Sequence, residues 1–165
     1  LADPTGVRVE RIVSAEELLA AARQGVAGAD YFIAAAAVSD YRPAQRSEQK
    51  RKKGEGGEVV ELVRTPDVLA TISAELRKEG RETTVVGFAA ETESMEAYAR
   101  RKLEEKQLDW IVANQVGGEE GGFADERNRV TVFGKGGEVV ELPLAPKREV
   151  ADRIFDVLTK GEGAG

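Results

Sequence analysis

The run Asp30-Tyr-Phe-Ile-Ala-Ala-Ala-Ala-Val38 limits the fold more than any other part of this sequence. It is almost continuously apolar and bounded by polar residues, the pattern of a parallel strand buried on both faces. Parallel neighbours need crossover connections, usually helical, and the surrounding sequence supplies candidates. Val7–Val13 is rich in β-branched residues and predicts a strand. Ser14-Ala-Glu-Glu17 has the capping-box pattern and predicts a helix to about Ala27. Thr65-Pro66-Asp67 predicts a second helix to roughly Lys78, with Thr65 as N-cap and Pro66 at the first helical position. Thr83–Ala89 reads as another buried strand, Ser94 to about Lys106 as an amphipathic helix, and Asp109–Ala113 as a short apolar strand.

Glu58–Val63 alternates like a half-exposed strand, whereas the hydrophobic pattern lapses between Ser39 and Gly57. Arg129–Phe133 and Glu138–Leu142, joined by Gly-Lys-Gly-Gly, predict a β-hairpin, and a last helix runs from Pro146 to about Lys160. The expected class is α/β, a Rossmann-like three-layer fold with a mostly parallel sheet and an appended antiparallel β-hairpin. The 165 residues suit a single domain over 1–165, with a flexible basic loop at 43–57 and a flexible Gly-rich tail at 161–165.

Composition narrows the chemistry. Cysteine and histidine are both absent, which removes disulfides, thiolate and imidazole catalysis, and the usual zinc or haem ligands. A net charge of -6 and 5% aromatic residues argue against nucleic acid as a partner. No run of 18 apolar residues predicts a membrane span, and the amino terminus lacks a signal-peptide layout, so a cytoplasmic protein is expected. Reactions open to the chain use Lys, Arg, carboxylates, amides, hydroxyls, backbone amides or a hard cation held by oxygen.

In an open parallel sheet, ligands sit beyond the carboxyl ends of the strands. The segments there are Ala37-Val-Ser-Asp40-Tyr-Arg42, Arg64-Thr-Pro-Asp67, Gly87-Phe-Ala-Ala-Glu91 and Asn114-Gln-Val-Gly-Gly. Small residues mixed with a few polar ones suit a nucleotide. Lys50-Arg-Lys-Lys53 fits either a solvated surface loop or a lid that neutralises a leaving pyrophosphate. Lys102 and Lys106, at i and i+4, either form an ordinary solvated face or aim two ammonium groups at one anion. Asp40 suits a hydrogen bond to ribose or base, or a turn capped by its own backbone. Pro66 and Asp67 disfavour phosphate at that helix start and favour contact with sugar or base. Phe88 fits a core position or a stack on a base.

Several motifs occur in order: Ala34-Ala-Ala-Ala-Val-Ser-Asp-Tyr-Arg-Pro43, Lys50–Lys53, Thr65-Pro-Asp-Val-Leu69, Val86-Gly-Phe-Ala-Ala-Glu-Thr92, Tyr98-Ala-Arg-Arg-Lys-Leu103, Lys106, Asp109-Trp-Ile-Val-Ala-Asn114 and Phe123–Val130. Together they resemble the bacterial phosphopantothenoylcysteine synthetase family, ligases of coenzyme A biosynthesis, over nearly the whole chain. The resemblance implies activation of 4'-phosphopantothenate by CTP as an acyl-cytidylate with Mg2+ assistance, then displacement of CMP by the amine of L-cysteine. It implies that Asp40 contacts cytidine, that Lys50 is the catalytic lid lysine, and that Pro66, Asp67, Val68, Leu69 and Phe88 line the nucleoside pocket. Lys102 and Lys106 would hold the triphosphate, and Ala34, Ala35 and Ala36 would let the nucleotide approach. The metal's ligands are not assigned.

Arg51 and Glu126 depart from the family pattern without removing a lysine or a pocket group. The family opens with a strand, a Gly-rich turn and an Asn-x-Ser-Ser-Gly segment, none of which lies after Leu1. The reading is therefore of a domain lacking its first Gly-rich β-α segment, with a homodimer and a fused or associated decarboxylase as partners and no flavin in this chain. The alternative is a nucleotide-binding module that has lost turnover with that segment.

Overall fold

The computed structural model describes residues 3–45, 57, 59–91, 94–115 and 126–160. Its elements run α1 (Ala15–Gly25), β1 (Tyr31–Ala34), β2 (Tyr41–Pro43), β3 (Leu62–Arg64), α2 (Val68–Lys78), β4 (Thr84–Glu91), α3 (Met95–Glu105), β5 (Trp110–Gln115), β6 (Arg127–Gly134), β7 (Val139–Pro146) and α4 (Lys147–Thr159). The main sheet has five strands in the order β1-β4-β5-β6-β7. Strands β1, β4 and β5 run parallel, with Ala34 opposite Gly87 and Phe88 opposite Val112. Strands β6 and β7 are antiparallel to their neighbours, as an appended hairpin requires. A separate two-stranded antiparallel ribbon pairs β2 with β3.

Alternation along the central strands divides the interior into two cores, because successive side chains point to opposite faces. Val85, Ala89, Ile111, Ala113 and Phe133 face a core completed by Ile72 and Leu76 of α2 and Ala99 and Leu103 of α3. Leu18, Leu19 and Ala22 of α1 pack against the same core. Val86, Val112, Val130 and Val132 face the opposite core with Val150, Ile154 and Leu158 of α4. The result is the three-layer α/β arrangement read from the sequence. Each fully buried Val or Ile contributes about 1.5–3 kcal/mol, which explains why β4 and β5, carrying Val85, Val86 and Val112 at 0% exposure, form the centre.

Three local expectations need correction. Val7–Val13 is not a strand: Val7 is 59% and Val13 84% exposed, and among the described residues no strand pairs with the segment. β-branched residues favour a strand only where a sheet receives them. The apolar run at 30–38 yields a strand only over Tyr31–Ala34, half-buried throughout. This follows from its place as the terminal strand, with β4 on one side alone. Residues 41–43, read as loop, pair with 62–64 instead. The residues at 46–56 and 161–165, expected to be flexible, lie outside the described residues.

The start of α2 also moves, with physical consequences at the site. Its N-cap is Asp67, whose side chain accepts from Ala70 N–H, not Thr65. Thr65 is drawn into the preceding turn, where its hydroxyl donates to the Ser39 carbonyl and its N–H to the Asp40 carbonyl at 3.0 Å.

Candidate functional site

The parallel strands end on one side of the sheet, and a crevice of about 630 Å³ opens there between the ends of β1 and β4 and helices α2 and α3. Ala34, Ala35 and Ala36 run along one wall where the chain leaves β1. Asp40 follows at the turn, tied through its carbonyl to Thr65. Pro66, Asp67, Val68 and Leu69 form the opposing lip at the start of α2, and Phe88 of β4 forms part of the base. Lys102 and Lys106 enter from α3. Eleven of the twelve sequence-derived site residues thus surround one space, despite lying on segments far apart in the chain. Lys50, the twelfth, lies outside the described residues.

The two lysines are held in different ways. The Lys106 ammonium sits 2.7 Å from Asp67 Oδ2. The Lys102 ammonium lies 4.3 Å from the centre of the Tyr98 ring, a cation–π arrangement. Tyr98 lines the crevice but was absent from the sequence-derived site. Its position one helical turn before Lys102 was the available signal. Arg101 also approaches that ring, at 5.1 Å.

Asp67 has both carboxylate oxygens engaged, Oδ1 by Ala70 N–H and Oδ2 by Lys106. Partial burial raises its pKa, but the Lys106 hydrogen bond, the Ala70 N–H and the charges of Lys106 and Lys102 outweigh burial and hold it below the ordinary aspartate value. The Asp40 carboxylate, by contrast, has no hydrogen-bond partner among the described residues, so its acceptors are free to meet a ligand hydroxyl or amine.

Packing fixes the crevice walls. A Cβ built on Gly87 would lie 2.7 Å from Leu69 Cδ2 and 3.0 Å from Leu108 Cδ1, so the absent side chain lets α2 approach β4. Behind the site, buried Ser73 of α2 donates to the Gln107 carbonyl at 2.8 Å, and Arg77 reaches that carbonyl at 3.4 Å. Gln107 adopts a left-handed conformation that ends α3, with Leu108 N–H bonded to the Leu103 carbonyl. Lys106 therefore projects from a helix end clamped to the helix that carries Asp67.

A second cavity, of about 340 Å³, opens at the other ends of the strands around Arg77, Arg100, Gln107, Asp109 and Lys135. Its charges satisfy one another. Asp109 Oδ2 accepts from Arg77 at 2.5 Å and from Val85 N–H at 2.7 Å, while Oδ1 accepts from Lys135 at 2.6 Å. Arg100 is paired with Glu96. Burial raises the Asp109 pKa, but the Lys135, Val85 and Arg77 hydrogen bonds prevail and depress it. This is a buried structural anchor, not a free anion site.

Among the described residues no group of three or more acidic side chains could cage a metal. With both Asp67 oxygens engaged, Asp40 is the crevice carboxylate that fits a hard cation held mainly by ligand phosphates and water, the usual state of Mg2+. None of the described helices is long and apolar enough to cross a membrane.

Comparison with known proteins assigns this architecture to a family. The model of the "DNA/pantothenate metabolism flavoprotein C-terminal domain" matches residues 1–161. The coenzyme A biosynthesis bifunctional protein CoaBC of Vibrio vulnificus strain YJ016 is 44% identical over 156 residues, covering 92% of this chain and 38% of that protein. The Bacillus subtilis CoaBC is 44% identical over 126 residues, covering 76% of this chain and 30% of the relative. The chain thus spans well under half the length of these curated relatives. A crystal structure of the C-terminal domain of CoaBC superposes with a TM-score of 0.73 at 37% identity, covering 96% of this chain and 67% of that one. The chain belongs to the DNA/pantothenate metabolism flavoprotein C-terminal domain family.

Proposed function

We propose that this chain carries the phosphopantothenate–cysteine ligase activity of coenzyme A biosynthesis, with CTP as the activating nucleotide. The observation that carries the reading is the pair Lys102 and Lys106 facing a crevice walled by Ala34–Ala36, Asp40, Val68, Leu69 and Phe88. Small residues admit a nucleoside, Phe88 closes part of the base while its side chain packs against the core on the α4 side, Asp40 offers a free acceptor, and the lysines supply the charge a triphosphate needs.

In the first step a carboxylate oxygen of 4'-phosphopantothenate attacks the α-phosphorus of CTP. The bond to the β-phosphate oxygen breaks, and pyrophosphate leaves with its electrons. In the second step the free amine of L-cysteine attacks the acyl carbon, expels CMP and loses a proton, forming the amide. Neither step needs imidazole or thiolate from the protein. Catalysis of this kind rests on placing reactants and neutralising charge that grows on the leaving group, which suits a chain with 24 Lys plus Arg and no His. Lys102 and Lys106 bind and orient the phosphates, and Lys50 is the lysine assigned to neutralising the leaving pyrophosphate. Of the crevice residues, Asp40 would be the carboxylate available to help hold Mg2+, which would supply further charge neutralisation.

The same reading makes the protein a cytoplasmic homodimer, fused to or associated with phosphopantothenoylcysteine decarboxylase. The β2–β3 ribbon supports the dimer, since Tyr41 (51%) and Leu62 (56%) are large apolar residues left exposed there, with Val60 (55%) exposed just before β3. Leu62→Asp is expected to convert the dimer to monomer in sedimentation velocity; an unchanged mass would remove the ribbon from the interface. For the activity, 4'-phosphopantothenate, cysteine, Mg2+ and CTP are supplied to the chain together with any sequence its gene encodes upstream. Pyrophosphate release dependent on both acid and CTP is expected. No release with either CTP or ATP would refute the ligase reading.

A further inference from the structure

We infer that Asp67 is a positioning residue that holds the Lys106 ammonium in place for the reaction at the expense of affinity for the nucleotide. The inference rests on the reading of the crevice as a triphosphate site. It concerns a residue that the sequence reading placed against sugar or base.

Three observations support it. First, Asp67 is itself immobilised: Oδ1 caps α2 through Ala70 N–H at 3.0 Å, so Oδ2 presents a fixed point to Lys106 at 2.7 Å. A long lysine side chain otherwise samples many rotamers, and ordering it costs free energy that a fixed partner removes in advance. Second, the ion pair is not what joins the two helices. Fully buried Ser73 already ties α2 to the end of α3 through the Gln107 carbonyl at 2.8 Å, reinforced by Arg77. Third, the pair lies at the mouth of the crevice and is reachable, with 49% of the Asp67 and 24% of the Lys106 side chain exposed. An arriving phosphate can share Lys106 with Asp67.

The cost follows from the same geometry. A carboxylate beside the triphosphate repels it, and two lysines facing one aspartate give the anion less free positive charge than their number suggests. Asp67 therefore opposes ground-state binding of the polyanion while aiming Lys106 at the departing pyrophosphate. An interaction that favours the transition state over the bound ground state raises turnover, not affinity.

Asp67→Asn tests this directly. Asn keeps the volume and the Oδ1 acceptor that caps α2, but it places either an amide donor or a neutral oxygen where Lys106 needs an anion. In the protein with its full encoded sequence, single-turnover pyrophosphate release is expected to slow about tenfold while CTP binds unchanged or about threefold tighter by calorimetry. A purely structural Asp67 would give an unfolded or less stable protein with unchanged constants in its folded fraction. Turnover within twofold of the parent, or a loss confined to CTP affinity, would overturn the inference. Lys106→Gln run beside it separates the two levels: if that variant alters neither affinity nor turnover, the triphosphate reading falls too. If it lowers both while Asp67→Asn changes nothing, only the role of Asp67 falls.

Discussion

Single side chains here do two kinds of work, and Asp109 is the structural case. It is 8% exposed and ties Arg77 of α2, Val85 of β4 and Lys135 of the β6–β7 turn into one cluster. Asp109→Asn strands two cations around a neutral amide and is expected to cost about 3 kcal/mol in chemical denaturation, with nucleotide binding by the folded fraction preserved. Both Asp67 and Asp109 have pKa values depressed in the folded state. A depressed carboxylate stabilises the fold above its unfolded value of about 3.9 and loses that contribution as pH falls through the folded value. Acid unfolding below about pH 4 is therefore expected, and Asp109→Asn should flatten the stability profile in that range. On the proposed function, Tyr98 serves the nucleotide by holding Lys102. Tyr98→Leu removes the ring under the Lys102 ammonium, worth about 0.5–1 kcal/mol at an exposed site, so CTP affinity should fall about threefold while Tyr98→Phe retains it.

At the scale of elements, the approach of α2 to β4 decides the width of the crevice, and Gly87 permits that approach. Gly87→Ala pushes Leu69 toward the space it walls. It is expected to cost about 1–3 kcal/mol and to weaken nucleotide binding, both readable in a thermal titration with and without CTP. The elements that were legible in the sequence are those whose local pattern and tertiary surroundings agree. Helices α1 and α3 carry apolar residues at helical spacing, and β4 and β5 are apolar on both faces because helices cover both. The hairpin was marked by its glycine turn, although β6 and β7 extend further than the apolar pattern suggested. Val7–Val13 was misread because β propensity does not reveal whether a partner strand exists. The ribbon strand at 41–43 was missed because three residues ending in proline carry no periodicity. The N-cap of α2 was misplaced by two residues because Thr-Pro-Asp offers two capping side chains. The Ser39 carbonyl, invisible in sequence, claims the threonine.

For the molecule as a whole, the crevice joins residues between Ala34 and Lys106 that meet only after β1, β4 and their crossovers have assembled. The sequence marked these residues through chemistry and family resemblance. It could not show that Asp67 faces Lys106 or that Tyr98 lies beneath Lys102, since those contacts depend on how two helices are clamped. Strand β1 adds a consequence of its own. It is the outermost parallel strand, half-buried, with backbone pairing to β4 alone, yet its last residue begins the alanine wall. Local opening requires least free energy where few contacts must break. Amide exchange in β1 should therefore be faster than in β4 and β5 in the empty protein. Saturating CTP should slow it, because a nucleotide resting on Ala34–Ala36 turns a weakly protected edge strand into one that must release its ligand before it can open.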